Sequence, residues 1–332
     1  MTEALTMPDI ALDAIQRYPD ADNPSSFLAV NAGNSYLQLP DVPGVIVYRP
    51  TGRYLVQFGG PFAPEEARPR LLRAFLDLAA EQNREVVGIQ LQAADAPAYL
   101  DAGFTVNQIG ASYALRLENF SLYGTRFMQL RNKIARARRS GLEISEAPLG
   151  AWHDAMLELD AGWLGSKGGA RPLEFLVGQY GGQYQHLRRL FAGAHGDRLT
   201  AYISYSPVYG SRPGWMHDLS RRQPDSPPGV MEATNKAAIE QFQAEGVEWL
   251  HFGYTPFSMI SDAYELPGHS RAFHWFADEL WAHGEHIYPA QTQYAYKEKW
   301  GPDLILPEYI AFQHCASIPA LVGVFRACNA VA

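Results

Sequence analysis

The stretch Met216-His217-Asp218-Leu219-Ser220-Arg221-Arg222-Gln223-Pro224-Asp225-Ser226-Pro227-Pro228-Gly229-Val230-Met231 joins the end of a strand pattern to the start of a helical one. Upstream, Leu199-Thr-Ala-Tyr-Ile-Ser-Tyr205 and Gly214-Trp-Met-His-Asp218 predict paired strands. Arg221 to Pro228 is proline-rich and predicts a loop. Beyond Gly229, the residues Met231, Thr234, Ala238 and Phe242 recur at helical spacing. Trp249-Leu-His-Phe252 predicts a closing strand. The order is strand, strand, loop, helix, strand.

The same order occurs once before. Gly44-Val-Ile-Val-Tyr48 and Tyr54-Leu-Val-Gln-Phe58 flank a Pro50-Thr51-Gly52 turn. A Gly59-Gly60-Pro61 loop leads to a helix near Pro64 with Leu71, Leu72, Phe75, Leu78 and Ala79 on one side. The strand Val86-Val-Gly-Ile-Gln-Leu91 follows, then Ala98-Tyr-Leu-Asp-Ala-Gly-Phe104 and a last strand reaching Leu117. A helical segment from Leu122 to Ser140 lies between the two patterns. Strand–helix alternation of this kind predicts a mixed α/β (α+β) fold. The expected organisation is an N-terminal domain over 1–121, a basic connecting helix within 122–150 and a catalytic domain over 151–332.

Composition narrows the function. The 332 residues are 47% hydrophobic and 19% charged, as in an ordinary globular protein. Cys315 and Cys328 lack metal-ligand spacing, so neither a disulfide scaffold nor a zinc site is expected, and a reducing cytoplasm suits the chain. Met1 to Asp22 shows no export signal, and no run of about 18 apolar residues predicts a spanning helix. The apolar stretch Ile318 to Val324 is short and reads as core. A net charge of −8 argues against a nucleic-acid grip along the whole surface.

One basic locality breaks that rule. Arg126, Arg131, Lys133, Arg136, Arg138 and Arg139 include no acid among them, and on a helix Phe127, Leu130, Ile134 and Ala137 would form the opposing apolar stripe. Such a cluster is a solvated bridging helix or a landing site for an RNA phosphate backbone.

The candidate chemistry lies in the second pattern. Asp218 and Arg221, three residues apart where a strand enters a loop, can both face a cleft. A guanidinium there can hold an ester carbonyl or phosphate, and a carboxylate can orient or deprotonate an acceptor; a structural pair pinning a turn is the plain alternative. Lys297 and Lys299 point oppositely in a strand and about 200° apart in a helix. The flanking Tyr294, Tyr296 and Trp300 suggest a partly buried segment. Glu232 falls near a helix N-terminus, where capping is its ordinary role. His217 and His251 sit on strands flanking the presumed cleft and are candidate pocket lining. No Gly-x-Ser-x-Gly elbow supports a serine triad. A CoA-type phosphate loop is also disfavoured, because Arg222-Gln-Pro-Asp-Ser-Pro-Pro-Gly229 carries consecutive prolines without N–H groups and an Asp that repels phosphate.

Taken together in order and spacing, these segments resemble the transferase domain of aminoacyl-phosphatidylglycerol synthases, the multiple peptide resistance factor family. The resemblance runs from about Phe27 to Phe312. It takes in Gly59-Gly60-Pro61, Tyr99-Leu-Asp-Ala-Gly-Phe104, Gln108-Ile-Gly110 and Phe120-Ser-Leu-Tyr-Gly124. In the second half it covers Trp163-Leu164, Glu174-Phe175, Asp218 to Met231, His251-Phe-Gly-Tyr-Thr-Pro-Phe-Ser258, Tyr296-Lys-Glu-Lys-Trp300 and Pro307-Glu-Tyr309. It implies a tandem Gcn5-related N-acetyltransferase-like fold, two mixed sheets joined by a helix. It also implies an aminoacyl-tRNA donor, no cofactor, and an active site holding Asp218, Arg221 and Lys297, with Lys297 stabilising the oxyanion. Lys299, Glu232, His217, His251 and Tyr254 are the expected substrate contacts; Glu232 stands where lipid-modifying members typically show Asp. Because those members generally attach a multi-span membrane domain, the expected acceptor here is a small amine or hydroxylamine, as in valanimycin-type natural-product assembly. A phospholipid headgroup is the alternative. A CoA-dependent N-acyltransferase and a catalytically dead binding module are the competing classes.

Overall fold

The computed structural model describes residues 6–19, 22–148, 150–166, 171–284 and 289–331. Met1 to Leu5, part of the N-terminal stretch considered above, lie outside them. The strands are β1 (Ser35–Leu39), β2 (Val42–Thr51), β3 (Tyr54–Phe62), β4 (Glu85–Leu91), β5 (Thr105–Arg116), β6 (Glu143–Ala147), β7 (Arg189–His195), β8 (Arg198–Val208), β9 (Gly214–Arg222), β10 (Trp249–Pro256) and β11 (Leu304–Phe312). The α-helices are α1 (Met7–Arg17), α2 (Arg68–Glu81), α3 (Ala96–Asp101), α4 (Met128–Arg139), α5 (His153–Ser166), α6 (Val230–Ala244), α7 (Arg271–His283), α8 (Ala290–Glu298) and α9 (Ile318–Ala327).

Side-chain alternation decides what each face of the sheet buries. Val45, Val47, Val56 and Phe58 pack with α1 and α9, whereas Ile46, Tyr48 and Leu55 pack with α2. In the second half, Ile203 and Tyr205 face α4 and α6, and Tyr202 and Leu219 face α5. With both faces covered, the strands are near-continuous apolar runs. The stretch Ile318 to Val324 is the first part of α9, and its Ala320, Leu321 and Val324 are core. In α4, Leu130, Ile134 and Ala137 are buried on one stripe while its five cations are exposed, as is Arg126 just before it.

The duplicated pattern is present, but its two sheets are one. The strand order is β1-β2-β3-β4-β11-β5-β10-β9-β8-β7-β6. Each half has a parallel pair joined by a crossover helix: β3 with β4 through α2, and β9 with β10 through α6. The last strand of each half then sits between strands of the other. β11 lies between β4 and β5, and β5 lies between β11 and β10. This reciprocal exchange corrects the expectation of two separate sheets, and it places a C-terminal strand inside the N-terminal half.

Candidate active site

The candidate site lies where two neighbouring strands of the C-terminal half part. β9 and β10 pair only from Gly214–Trp249 to Met216–His251 and then part. Beyond that point β9 keeps pairing with β8 as far as Arg222, so the loop expected from Arg221 starts later. The register slips between Tyr205–His217 and Ser204–Leu219, leaving Asp218 as the extra residue of a bulge. A second slip, between His251 and Gly253, bends β10. Gly253 has φ +68°, a conformation that glycine adopts without a Cβ clash. Between the parted strands lies a cavity of about 370 Å³. Its polar end holds His217, Asp218, Ser220, Tyr296 and Lys297, and its other arm is apolar, with Leu28, Ile89, Leu176, Leu321, Val324 and Phe325.

Asp218 is buried and bonded through Oδ2 to Nε of Arg188 at 3.1 Å. Its Oδ1 is sealed from solvent, and the Ser206 hydroxyl beside the carboxylate favours its charged form. Burial raises its pKa, against the lowering effect of Arg188. Arg188 lies over Phe27 and donates from a second nitrogen to Asn31 Oδ1 at 3.2 Å. Asn31 in turn donates to the carbonyl of Val177 at 2.9 Å. A Cβ on the next residue, Gly178, would stand 2.2 Å from Asp218 Oδ1, so backbone lies directly against the carboxylate.

Lys297, on α8, donates from Nζ to the carbonyls of Gly253 and Tyr254, both at 2.8 Å. Burial pulls its pKa down to about 7, with Glu308 opposing. Glu308 lies on the exchanged strand β11, wholly buried, and accepts a short hydrogen bond from Ser112. Its pKa is raised to about 7, chiefly by burial. A neutral amine has two hydrogens, and the two carbonyls take both. Its lone pair is then left for the remaining direction, on a side chain that lines the cavity.

The other expected residues divide between the cavity and its surroundings. His217 lines it with Nδ1 unpartnered, and burial holds the ring neutral with a pKa of about 3. Tyr254 also lines it. His251 does not: its Nε2 bonds the Arg212 carbonyl at 2.9 Å, and burial lowers its pKa to about 4. Arg221 is likewise outside the lining and apart from Asp218. Its guanidinium stacks over Trp163 at 4.3 Å and its Nε stands 3.7 Å from Asp160. Lys299 points away from Lys297, as their helical separation requires, and pairs with Glu232 at 2.7 Å. Burial of Glu232 is outweighed by Lys299, which keeps its pKa low. Gly229, with φ +97°, caps α6, and a Cβ there would meet the Lys133 carbonyl at 2.2 Å. The N-terminus of α6, where a phosphate would sit in a CoA-binding loop, is thus closely approached by α4 backbone.

In the basic group, Arg131 bonds the carbonyls of Leu122 and Gly124, and Arg138 pairs with Glu240 at 3.2 Å. Lys133, Arg136 and Arg139 are exposed and make no ion pair among the described residues. Sequence reasoning missed Arg188. A buried carboxylate demands a cation, but Arg188 is 30 positions from Asp218 and no local pattern marks it.

A family profile described as phosphatidylglycerol lysyltransferase, C-terminal, matches residues 14–312. The phosphatidylglycerol lysyltransferase of Bacillus subtilis is 23% identical over 317 residues, covering 90% of this chain and 36% of that protein. The chain therefore spans about a third of that relative's length. Among solved structures, L-PGS from Bacillus licheniformis superposes with a TM-score of 0.75 at 20% identity, covering 99% of both chains. A C-terminal domain assigned to a lysylphosphatidylglycerol synthetase of Agrobacterium fabrum gives 0.76 at 22% identity, covering 96% of this chain and 95% of that one. At these identities the superpositions speak for the fold. Among the described residues, no helix is long and apolar enough to cross a membrane.

Proposed function

The chain belongs to the phosphatidylglycerol lysyltransferase C-terminal family, and from that premise we propose that it moves an aminoacyl group from tRNA to a headgroup hydroxyl of phosphatidylglycerol. One observation carries the reading: a single cavity is lined both by Lys297, whose Nζ donates to the carbonyls of Gly253 and Tyr254, and by the apolar side chains Leu28, Ile89, Leu176, Leu321, Val324 and Phe325. The polar end suits an aminoacyl ester; the apolar arm suits the glycerol and upper acyl region of a lipid. A small soluble amine, the acceptor expected first, would leave that arm unused, and the relatives' names favour the lipid as well.

The reaction is a transesterification. Asp218, its side chain sealed in against Arg188, fixes the bulge whose backbone borders the cavity and so positions the aminoacyl end. The lone pair of Lys297 accepts the proton of the acceptor hydroxyl as its oxygen attacks the ester carbonyl. The Lys297 ammonium then faces the oxyanion it helped create. As the bond to the ribose oxygen breaks, the same proton passes to that oxygen, and the amine is regenerated. The donor ester carries its own activation, so alignment and charge placement supply the catalysis. Arg221 on Trp163 and the exposed cations of α4 lie outside the cavity, where they would guide the acceptor end of the RNA.

The test is direct: incubation with charged tRNA and phosphatidylglycerol vesicles should yield an alkali-labile aminoacyl lipid. Acetyl-CoA as the accepted donor, with charged tRNA inert, would refute the proposal.

A further inference from the structure

Granting the proton-acceptor role of Lys297 above, we infer that Glu308 is its positioning residue: from inside the sheet it fixes the strands that hold the lysine and supplies the counter-charge for the ammonium formed during transfer. Glu308 is wholly buried on β11 and does not line the cavity, so it meets no substrate. Its Oε1 accepts from the hydroxyl of Ser112 on β5. Ser112 stands opposite Tyr254 where β5 pairs with β10, and the Tyr254 carbonyl is one of the two that hold Lys297 Nζ. Gly110 is the cross-strand partner of both Glu308 and Pro256, and a Cβ there would lie 2.3 Å from the Thr255 carbonyl. Glu308 and the lysine's carbonyls thus lie on the two strands that flank β5, in neighbouring rows.

The other groups around the lysine are neutral or already paired. Tyr113, whose ring lies 5.6 Å from Nζ, donates its hydroxyl to Ser258. His217 is held neutral by burial. Asp218 is paired with Arg188, and Glu232 with Lys299. Beside Glu308 itself stand the neutral side chains of Ser112 and Gln92. Among the described residues, Glu308 alone favours the ammonium form of Lys297. Burial by itself would make the amine a weak base, because a medium of low dielectric penalises the ammonium. A carboxylate on a nearby strand offsets part of that penalty at the moment the charge appears. The proton moves from the acceptor hydroxyl to Nζ and then to the ribose oxygen, while Glu308 keeps its own protonation state.

The experiment labels lysine Cε with carbon-13, identifies the Lys297 signal by its loss in Lys297→Arg, and titrates it by NMR beside a pH–rate profile for transfer. Glu308→Gln keeps the size but not the charge. Its Lys297 midpoint should fall by about one pH unit, and the rising limb of the rate profile should move with it. The rate above that limb should drop about tenfold or more, since a weaker base accepts the proton. Glu308→Asp, with the charge kept, should hold the midpoint closer to the wild type. Ser112→Ala removes the hydrogen bond that favours the Glu308 anion, so it should shift the midpoint the same way by less, and it serves if Glu308→Gln does not fold. An unmoved midpoint in whichever of these two folds, or a limb that stays in place while the midpoint falls, would overturn the inference. A wild type that transfers from no charged tRNA, with midpoints shifted as expected, would overturn the transfer reading and leave the charge coupling supported.

Discussion

The Nε of Arg188 lies 3.1 Å from Oδ2 of Asp218, and neither side chain is more than 3% exposed. An ion pair so placed is costly to break, because the partner left behind is a charge without water. Arg188→Met should therefore lower stability by about 3–5 kcal/mol, and Arg188→Met combined with Asp218→Asn should recover part of that loss. Urea unfolding of the two variants checks this. A single variant as stable as the wild type would mean that the pair does not hold the site.

Activity should follow the protonation of Lys297. Its pKa is lowered to about 7, foremost by burial, and the neutral form is the proton acceptor. The transfer rate should then rise with pH toward about 7 and level off above it. Lys297→Gln should lose about 10²–10⁴-fold in kcat and lose the pH step with it. A pH–rate profile at saturating lipid reads both.

Gly178→Ala should damage transfer more than folding. The added methyl would sit 2.2 Å from Asp218 Oδ1, so the carboxylate must move. A shift of about 1 Å in a positioning group can cost about a hundredfold in rate. Comparing kcat/KM with the thermal midpoint separates the two effects.

Acid should weaken the fold through its buried histidines. His251 has a folded-state pKa near 4, depressed chiefly by burial. Between about 6.5 and 4 the unfolded chain binds a proton that the folded one refuses, so stability falls as pH falls through that window. His217, lowered to about 3, acts with the same sign. The stability advantage of the wild type over His251→Gln should shrink by about 3 kcal/mol across the window, as read by denaturant titration at several pH values.

If α4 receives the RNA, replacing Lys133, Arg136 and Arg139 with alanine should weaken charged-tRNA binding at least tenfold. It should also flatten the salt dependence by about one unit per lost phosphate contact. Filter binding at several salt concentrations measures both, and an unchanged slope would remove α4 from the interface.

Local patterns made much of this architecture readable. The apolar runs of β2 and β3, the helical spacing of Leu71, Leu72, Phe75 and Ala79, and the stripe Leu130, Ile134, Ala137 each mark residues that the structure buries. The exchange of β5 and β11 left no such mark, because strand order is set by partners far apart in the chain. The site was legible to the same extent. Asp218 and Lys297 both line the cavity. Their neighbours were not foreseeable: a bulge decides how Asp218 is presented, Arg188 arrives from the turn just before β7, and Asp160 on α5 draws Arg221 aside. Whether Lys297 or Lys299 faced inward depended on a helix whose rotation the sequence leaves free.

Ser112 and Glu308, bonded in the middle of the sheet, stand 196 positions apart. Without the last strand, β4 and β5 have an open seam between them, and Lys297 lacks the Glu308 carboxylate that favours its charged form. Strands from both halves of the chain thus build the seam beneath the cavity, and a lobe cut free would lack one of its own strands.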